Sequence, residues 1–407
     1  MSITSEGTQP GDSHADAAAI EPSLPTEPAR TALLFHGNAA EYFRIWIVNL
    51  VLSLITLGIY SAWATVRNRR YFYGSTEFAG HRFDFHGDPV AILKGRILAV
   101  IVFMAYAFGT EFHWGITLGA FLVIAVAFPW VLVRALRFRL ANSSHRGLRF
   151  GFDGTSAQAY QLLGPILLLG GGVFIWYLFV YARLDQDDYD SIVRNFLPMM
   201  ASLALTVTVG LALAPVLWFR LRSFAMNHTR FGRHRFSAHL RLGVFWKALA
   251  LALGLGIGAT FIAGAIGFGL MSVLFFNDDP GSGTGMTGVV IATVAIYALL
   301  IPAYLVPFAA WHCITTNHVL SMTRIEGLRV HMALDPWVYW WILFSNAVIA
   351  VVTLGLAIPW AKVRMVRYKL SCLQVSGSVE DFEAGARSDP SALGDELGEV
   401  FDFDFGF

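Results

Sequence analysis

Eight histidines, His36, His81, His86, His145, His228, His234, His239 and His331, fall in or beside short segments that alternate like strands. Neutral imidazole is the commonest transition-metal ligand, so a gathering of this kind is where metal chemistry would be sought. No pair among them has the tight spacing, or the Cys, His and carboxylate company, of a recognised zinc motif. The two cysteines, Cys313 and Cys372, fit neither a disulfide framework nor a metal knuckle. The histidines therefore read as interface residues, and no metal site is assigned. A proton relay would need an acidic residue in the middle of an apolar helix. The sequence has none there, and Glu111 with His113 reads as a wet turn. It also lacks a nucleophile elbow, a metalloprotease helix and a nucleotide loop. No catalytic residue is named, no cofactor is expected, and an enzyme is the weakest functional reading.

Arginine is what remains. Arg67, Arg70, Arg82, Arg149, Arg235, Arg329, Arg364 and Arg367 recur beside glycine and tryptophan. A guanidinium fork matches carboxylate and phosphate oxygens, so the chemistry on offer is anion recognition. Converging beneath a helical bundle, the eight would form a site for an anion or a lipid headgroup. The plainer role is topological, since an anionic leaflet holds basic helix ends at about 1 kcal/mol per charge. The basic run Trp63-Ala64-Thr65-Val66-Arg67-Asn68-Arg69-Arg70-Tyr71 returns at Trp360 to Tyr368, with a degraded copy at Trp130 to Phe138. Trp63, Trp130 and Trp360 accordingly read as membrane-interface anchors.

Positioning these residues is the task of an apolar chain. Of its 407 residues 56% are hydrophobic and 14% charged, and the mean hydropathy is +0.57. Average soluble domains hold about 45–50% and about 25%. Apolar helices are expected at about 91–110, 113–133, 161–182, 196–218, 246–275 and 287–310, with a terminal pair at 42–60 and 337–358. Gly254, Gly256, Gly258, Gly264, Gly267 and Gly269 imply close packing of the segment at 246–275. Residues 1–31 read as a disordered tail, 32–376 as one multi-pass domain, and 377–407 as an acidic tail able to reach a protein partner.

Repeats organise the domain. Thr76, Gly80, Arg82 and Asp88-Pro89 are matched in spacing by Thr323, Gly327, Arg329 and Asp335-Pro336, with related text at 143–154 and at 229–236. A second register, shifted by 297 positions, equates Asn38 with Asp335, Tyr42 with Tyr339, Asn49 with Asn346, Thr56-Leu57-Gly58 with Thr353-Leu354-Gly355, and Trp63 with Trp360. Such repeats imply duplicated architecture. Alternate loops carry the positive charge and are expected to be cytoplasmic. Eight spans would leave Lys362, Arg364, Arg367 and Lys369 on the wrong side. One solution makes 42–60 and 337–358 re-entrant segments, with six true spans, cytoplasmic termini, and Asn49 and Asn346 as partner groups at membrane depth. The other keeps eight spans and breaks the charge rule. The expected class is an all-α polytopic membrane protein of six to eight helices with short β-like cytoplasmic segments.

Phe35-His36-Gly37-Asn38 with Glu41-Tyr42-Phe43, Thr56 to Ala64, Arg67 to Gly74, Gly80-His81-Arg82-Phe83 and Leu93-Lys94-Gly95-Arg96 together resemble the YjgN-like family of bacterial inner-membrane proteins. The resemblance covers about residues 33–376. It implies an inner-membrane location and supplies no catalytic residues, because the family's function is unknown. Two functions are carried from the residues: a small-solute transporter or channel, and a non-catalytic scaffold binding anionic lipids through its basic face. The lipid bilayer is the expected partner, and nucleic acid is not.

Overall fold

A computed structural model describes residues 30–112, 114–181, 189–276, 285–325 and 327–377, and Ser2. The expected tails lie outside these residues, apart from Ser2, Arg30 and Thr31 at one end and Gly377 at the other.

The chain repeats one pattern five times: a helix goes out, a helix comes back, and a β-hairpin closes the unit. The helical pairs are α1 (Ala39–Ile55) with α2 (Ser61–Gly74), α3 (Pro89–Phe112) with α4 (Trp114–Ala141), and α5 (Ser156–Tyr181) with α6 (Tyr189–Asn227). They continue with α7 (Leu242–Phe276) and α8 (Gly285–Ser321), then α9 (Pro336–Val352) and α10 (Ile358–Ser371). Four hairpins separate the pairs: β3 (Thr76–Phe78) with β4 (His81–Phe85), β5 (Ser143–His145) with β6 (Leu148–Phe152), β7 (Thr229–Phe231) with β8 (His234–Ala238), and β9 (Thr323–Ile325) with β10 (Leu328–Met332). The fifth is assembled from the two ends of the domain. β11 (Leu373–Ser376) pairs antiparallel with β1 (Arg30–Ala32), and β2 (Leu34–Phe35), just beyond β1, pairs with β3. Residues 30–35 thereby join both ends of an eleven-strand sheet whose order otherwise runs without a crossover from β11 to β3. The sheet closes into a barrel.

An all-α fold is therefore corrected: the β-like segments are a continuous wall. Each strand is only two to five residues long, which leaves too little alternation to predict closure from local text. The pairing register decides what faces inward, because side chains directly opposite share a face. Phe83 faces His145, Phe150 faces Phe231, Phe236 faces Ile325, and Val330 faces Val375. Phe231 and Leu328 are buried there with Leu148, Phe150 and Phe236 packed around them. The lumen is a packed apolar core, and arginines occupy the alternate, outward positions.

Helices pack most extensively within the pairs α7/α8, α3/α4 and α5/α6, and the pairs pack on their ring neighbours, α2 on α3, α4 on α5, α6 on α7, α8 on α9, and α10 back onto α1. Among the described residues five helices, α3 to α7, are long and apolar enough to cross a membrane. The basic runs expected to end the spans are helical too, so α4, α6 and α8 continue to Ala141, Asn227 and Ser321. Arg, Leu and Met are strong helix formers, and leaving hydrocarbon does not end their helix.

The terminal pairs differ. α1 and α9 have 17 residues and α2 and α10 have 14, about 25 and about 21 Å at 1.5 Å per residue, against a hydrocarbon core of about 30 Å. The expected segments 42–60 and 337–358 are thus outgoing helices plus a turn, and Trp63 and Trp360 lie on the returning helices. Leu57 and Gly58 have φ of 50° and 90°, Leu354 and Gly355 of 51° and 89°. That left-handed pair reverses the chain. Thr56 Oγ1 donates to Leu52 O at 2.7 Å and accepts from Tyr60 N at 2.9 Å, while Thr353 donates to Ile349 O at 2.7 Å and accepts from Ala357 N at 3.1 Å.

Candidate functional site

Six residues before its strand, each returning helix except α6 carries a polar side chain that grips the backbone where the same hairpin leads into the next helix. Arg70 Nε donates to Phe85 O at 3.1 Å, Arg137 Nη2 to Gly154 O at 3.2 Å, and Arg367 Nη2 to Gly37 O at 3.0 Å. Asn317 does it twice, donating to Leu334 O at 2.9 Å and accepting from Leu334 N at 2.8 Å. In the third unit Asn227 takes over, accepting from Ala238 N at 2.7 Å. Arg70 and Arg367 thus hold carbonyls, at opposite ends of the chain.

The other two helix-borne arginines also divide. Arg364 donates to Ser345 Oγ at 2.7 Å and to Asn346 Oδ1 at 3.2 Å, and lies over the Trp360 ring at 5.1 Å. Arg67, its equivalent, is exposed. Trp130 carries Arg134 at 5.5 Å and Trp218 carries Arg222 at 4.8 Å. Tryptophan with arginine four residues later puts both on one helix face, and the copy at Trp218 could have been found by that spacing. Asn49 and Asn346 brace their hairpins internally, Asn49 donating to Asn68 Oδ1 at 3.1 Å and Asn346 to Ala361 O at 3.2 Å.

The remaining four, Arg82, Arg149, Arg235 and Arg329, occupy the same position of β4, β6, β8 and β10, the second residue of the strand, on the outer wall. All four are exposed. In the fifth unit Ala32 stands at this place. Arg82 lies opposite Glu77, and Arg149 opposite Ser144. Arg235 lies opposite Arg230, and Asp153 joins that pair at 3.2 and 3.1 Å. Arg329 lies opposite Arg324 on one side and Ser376 on the other. Arg324 and Arg329 make no side-chain hydrogen bond or ion pair among the described residues. Like charges directly opposite repel, so this pair is the place on the wall where an anion would do most. Four of the eight arginines lie on returning helices and four on strands of the barrel. They form a tier at the helix ends and a tier around the barrel. Sequence reasoning missed Arg324, which only the register of β9 against β10 brings to the wall.

Three of the histidines lie against neighbouring strands. His36 Nε2 lies 2.9 Å from Glu77 Oε2, and His86 Nε2 lies 2.9 Å from Ser144 Oγ. His145 is inside the barrel, its Nε2 3.1 Å from Phe78 O and its ring 4.5 Å from Phe83. Burial pushes its pKa down, with the charges of His81 and Arg146 acting the same way. No group of three His, Cys, Asp or Glu arranged for a metal occurs among the described residues. A groove of about 910 Å³ between α7 and α8 is lined by Gly256, Thr260, Gly264, Tyr304, Pro307 and Trp311. Elsewhere along the pair Gly267 lets α8 approach, since a Cβ there would lie 2.9 Å from Ile296, and the groove's walls are almost wholly apolar.

A ring of apolar helical hairpins joined to a closed, basic barrel defines a multi-pass membrane protein. The chain belongs to the family described as bacterial protein of unknown function (DUF898), whose pattern matches residues 30–400. It is similar to inner membrane protein YjgN of Salmonella typhimurium (strain LT2), 26% identical over 367 residues covering 86% of this chain and 90% of the relative. YjgN of Escherichia coli O157:H7 is 26% identical and that of Escherichia coli K12 25%, each covering 86% of this chain and 89% of the relative. No solved structure matches. The apolar helices and these relatives make the chain a multi-pass protein of the bacterial inner membrane.

Proposed function

We propose that the protein is a non-catalytic, membrane-embedded platform that offers its barrel wall to anionic partners on the cytoplasmic side. In this reading α3 to α8 are six spans, the two terminal hairpins enter and leave from the cytoplasmic face, and both termini lie inside. The basic returning helices and the barrel share that side, in keeping with the positive-inside rule. The helix-end tier, with arginine stacked on tryptophan, meets lipid headgroups. The barrel tier lies beyond them. Strands of five residues rise about 3.3 Å per residue, so Arg82, Arg149, Arg235 and Arg329 stand well below the helix ends and address something in solution.

The observation that carries the reading is the recurrence of an exposed, outward arginine at one strand position in four of the five units. Packing cannot explain it, since these side chains project outward and are exposed. The test uses the protein in nanodiscs of zwitterionic lipid with fluorescent polyphosphate as probe. Replacing Arg82, Arg149, Arg235 and Arg329 by Gln is expected to weaken binding at least about tenfold and flatten its salt dependence. Binding that ignores both salt and the substitutions removes the proposal.

A second reading, a conduit for a small solute, is favoured by the ring of helices around the barrel axis. It requires the Phe-lined lumen to open as a hydrophobic gate.

A further inference from the structure

The barrel wall has a polyanion rooted beside it in the same chain. Ser376, the last residue of β11, lies opposite Arg329 on one side and Arg30 on the other. Arg329 in turn lies opposite Arg324. The chain therefore leaves the barrel within an outward row of arginines. Its C-terminal stretch is acidic: residues 378–407 contain nine Asp and Glu against one Arg. Residues 30–376 contain 28 Lys and Arg against 14 Asp and Glu, so the near-zero net charge conceals two opposed bodies of charge.

We propose that the C-terminal tail folds back on the barrel and occupies the Arg324–Arg329 row, as an intramolecular competitor for whatever anion the wall binds. This rests on the reading of the wall as an anion site. Reach permits it. Glu380 and Asp381 come four and five residues after Ser376, and an extended chain covers about 3.3–3.6 Å per residue. Arg329 is one strand away and Arg324 two, at about 4.8 Å per strand. A tether this short sets the tail's effective concentration near the millimolar range, so even weak pairing with exposed guanidinium groups keeps the row occupied. The affinity of an outside anion falls by the same factor. Among the described residues no carboxylate pairs with Arg324 or Arg329, an arrangement that a carboxylate laid across it would stabilise.

The experiment truncates the chain after Gly377 and repeats the polyphosphate titration in zwitterionic nanodiscs. The truncated protein should bind about tenfold more tightly than the full chain, and Arg324→Gln with Arg329→Gln should abolish that gain. Independently, full-length protein carrying Arg324→Lys and Arg329→Lys is treated with a zero-length carbodiimide. Cross-links from these two positions to Glu380, Asp381 or Glu383 are expected, and their loss in about 500 mM salt, where the Debye length is well under 10 Å. Equal polyphosphate affinity with and without the tail, or cross-links absent at low salt, overturns the tail proposal. Polyphosphate bound by neither form overturns the anion-binding wall instead, so the two failures are told apart.

Discussion

His145 has its imidazole against Phe83 and Phe231, at 4.5 and 6.3 Å, and shares a hydrogen bond with Phe78 O. Water is largely excluded, which disfavours the imidazolium and holds the folded pKa below its ordinary value. As pH falls through the ordinary histidine value of about 6.5, the unfolded chain takes the proton first, so the native state loses stability progressively until the folded pKa is passed. Melting temperature measured in detergent is expected to drop from about pH 7 to about pH 5, and His145→Phe, which keeps an aromatic in the lumen and removes the titration, should flatten the drop. Identical slopes would show that the acid sensitivity comes from other groups. The sequence could nominate these histidines as interface groups, because a strand-like alternation placed them among Phe and Arg. It could not separate latch from site among the arginines. Arg70 and Arg82 are twelve residues apart and chemically alike, and only the carbonyl at Phe85 makes one a clamp.

At the scale of the element, the terminal hairpins were legible as a problem before they were legible as structures. The count of spans and the charge rule disagreed, and the shared Thr-Leu-Gly text marked where the chain turns. That α2 and α10 are return strokes was hidden, because a helix rich in arginine looks from the sequence like a surface loop. The turn itself is a physical commitment. Leu57 is 94% exposed and Leu354 93%, both at positive φ, a conformation costing an L-residue about 1–2 kcal/mol. A fully exposed leucine in a strained turn makes sense where its surroundings are hydrocarbon. With Cys313 and Cys372 replaced by Ser, Leu57→Cys and Leu354→Cys should resist impermeant maleimide from both sides of the membrane, while remaining reactive to a small apolar thiol reagent. Labelling from the periplasm would make both hairpins fully crossing pairs, ten spans in all, and overturn the re-entrant reading.

At the scale of the whole molecule, the four hairpins between helical pairs were visible as repeats, but the unit that completes the ring was not. Its strands are β11 and the segment 30–35, more than 330 residues apart, and no local pattern announces a pairing of that range. The 297-residue register was its trace, since it aligned the approach to α1 with the approach to α9. Closure has an energetic reason. An open sheet would leave β3 and β11 as bare edges with unpaired N–H and C=O groups facing solvent, a template for aggregation. Residues 30–32 satisfy β11 and residues 34–35 satisfy β3, while Gly37 O and Asn38 are held by Arg367 and Tyr71 from the two terminal hairpins. The segment 30–38 therefore couples the first hairpin, the last hairpin and both sheet ends. Removal of residues 1–29 should leave the melting temperature and the monodispersity of the purified protein unchanged. Removal of residues 1–36 should open the barrel and produce aggregation on size-exclusion chromatography, even though every predicted span is retained. A synthetic peptide of residues 28–38 added during solubilisation is expected to restore part of the monodisperse fraction by strand addition. If the longer deletion behaves like the shorter one, the ring does not depend on its N-terminal strand, and the fivefold description of the molecule fails with it.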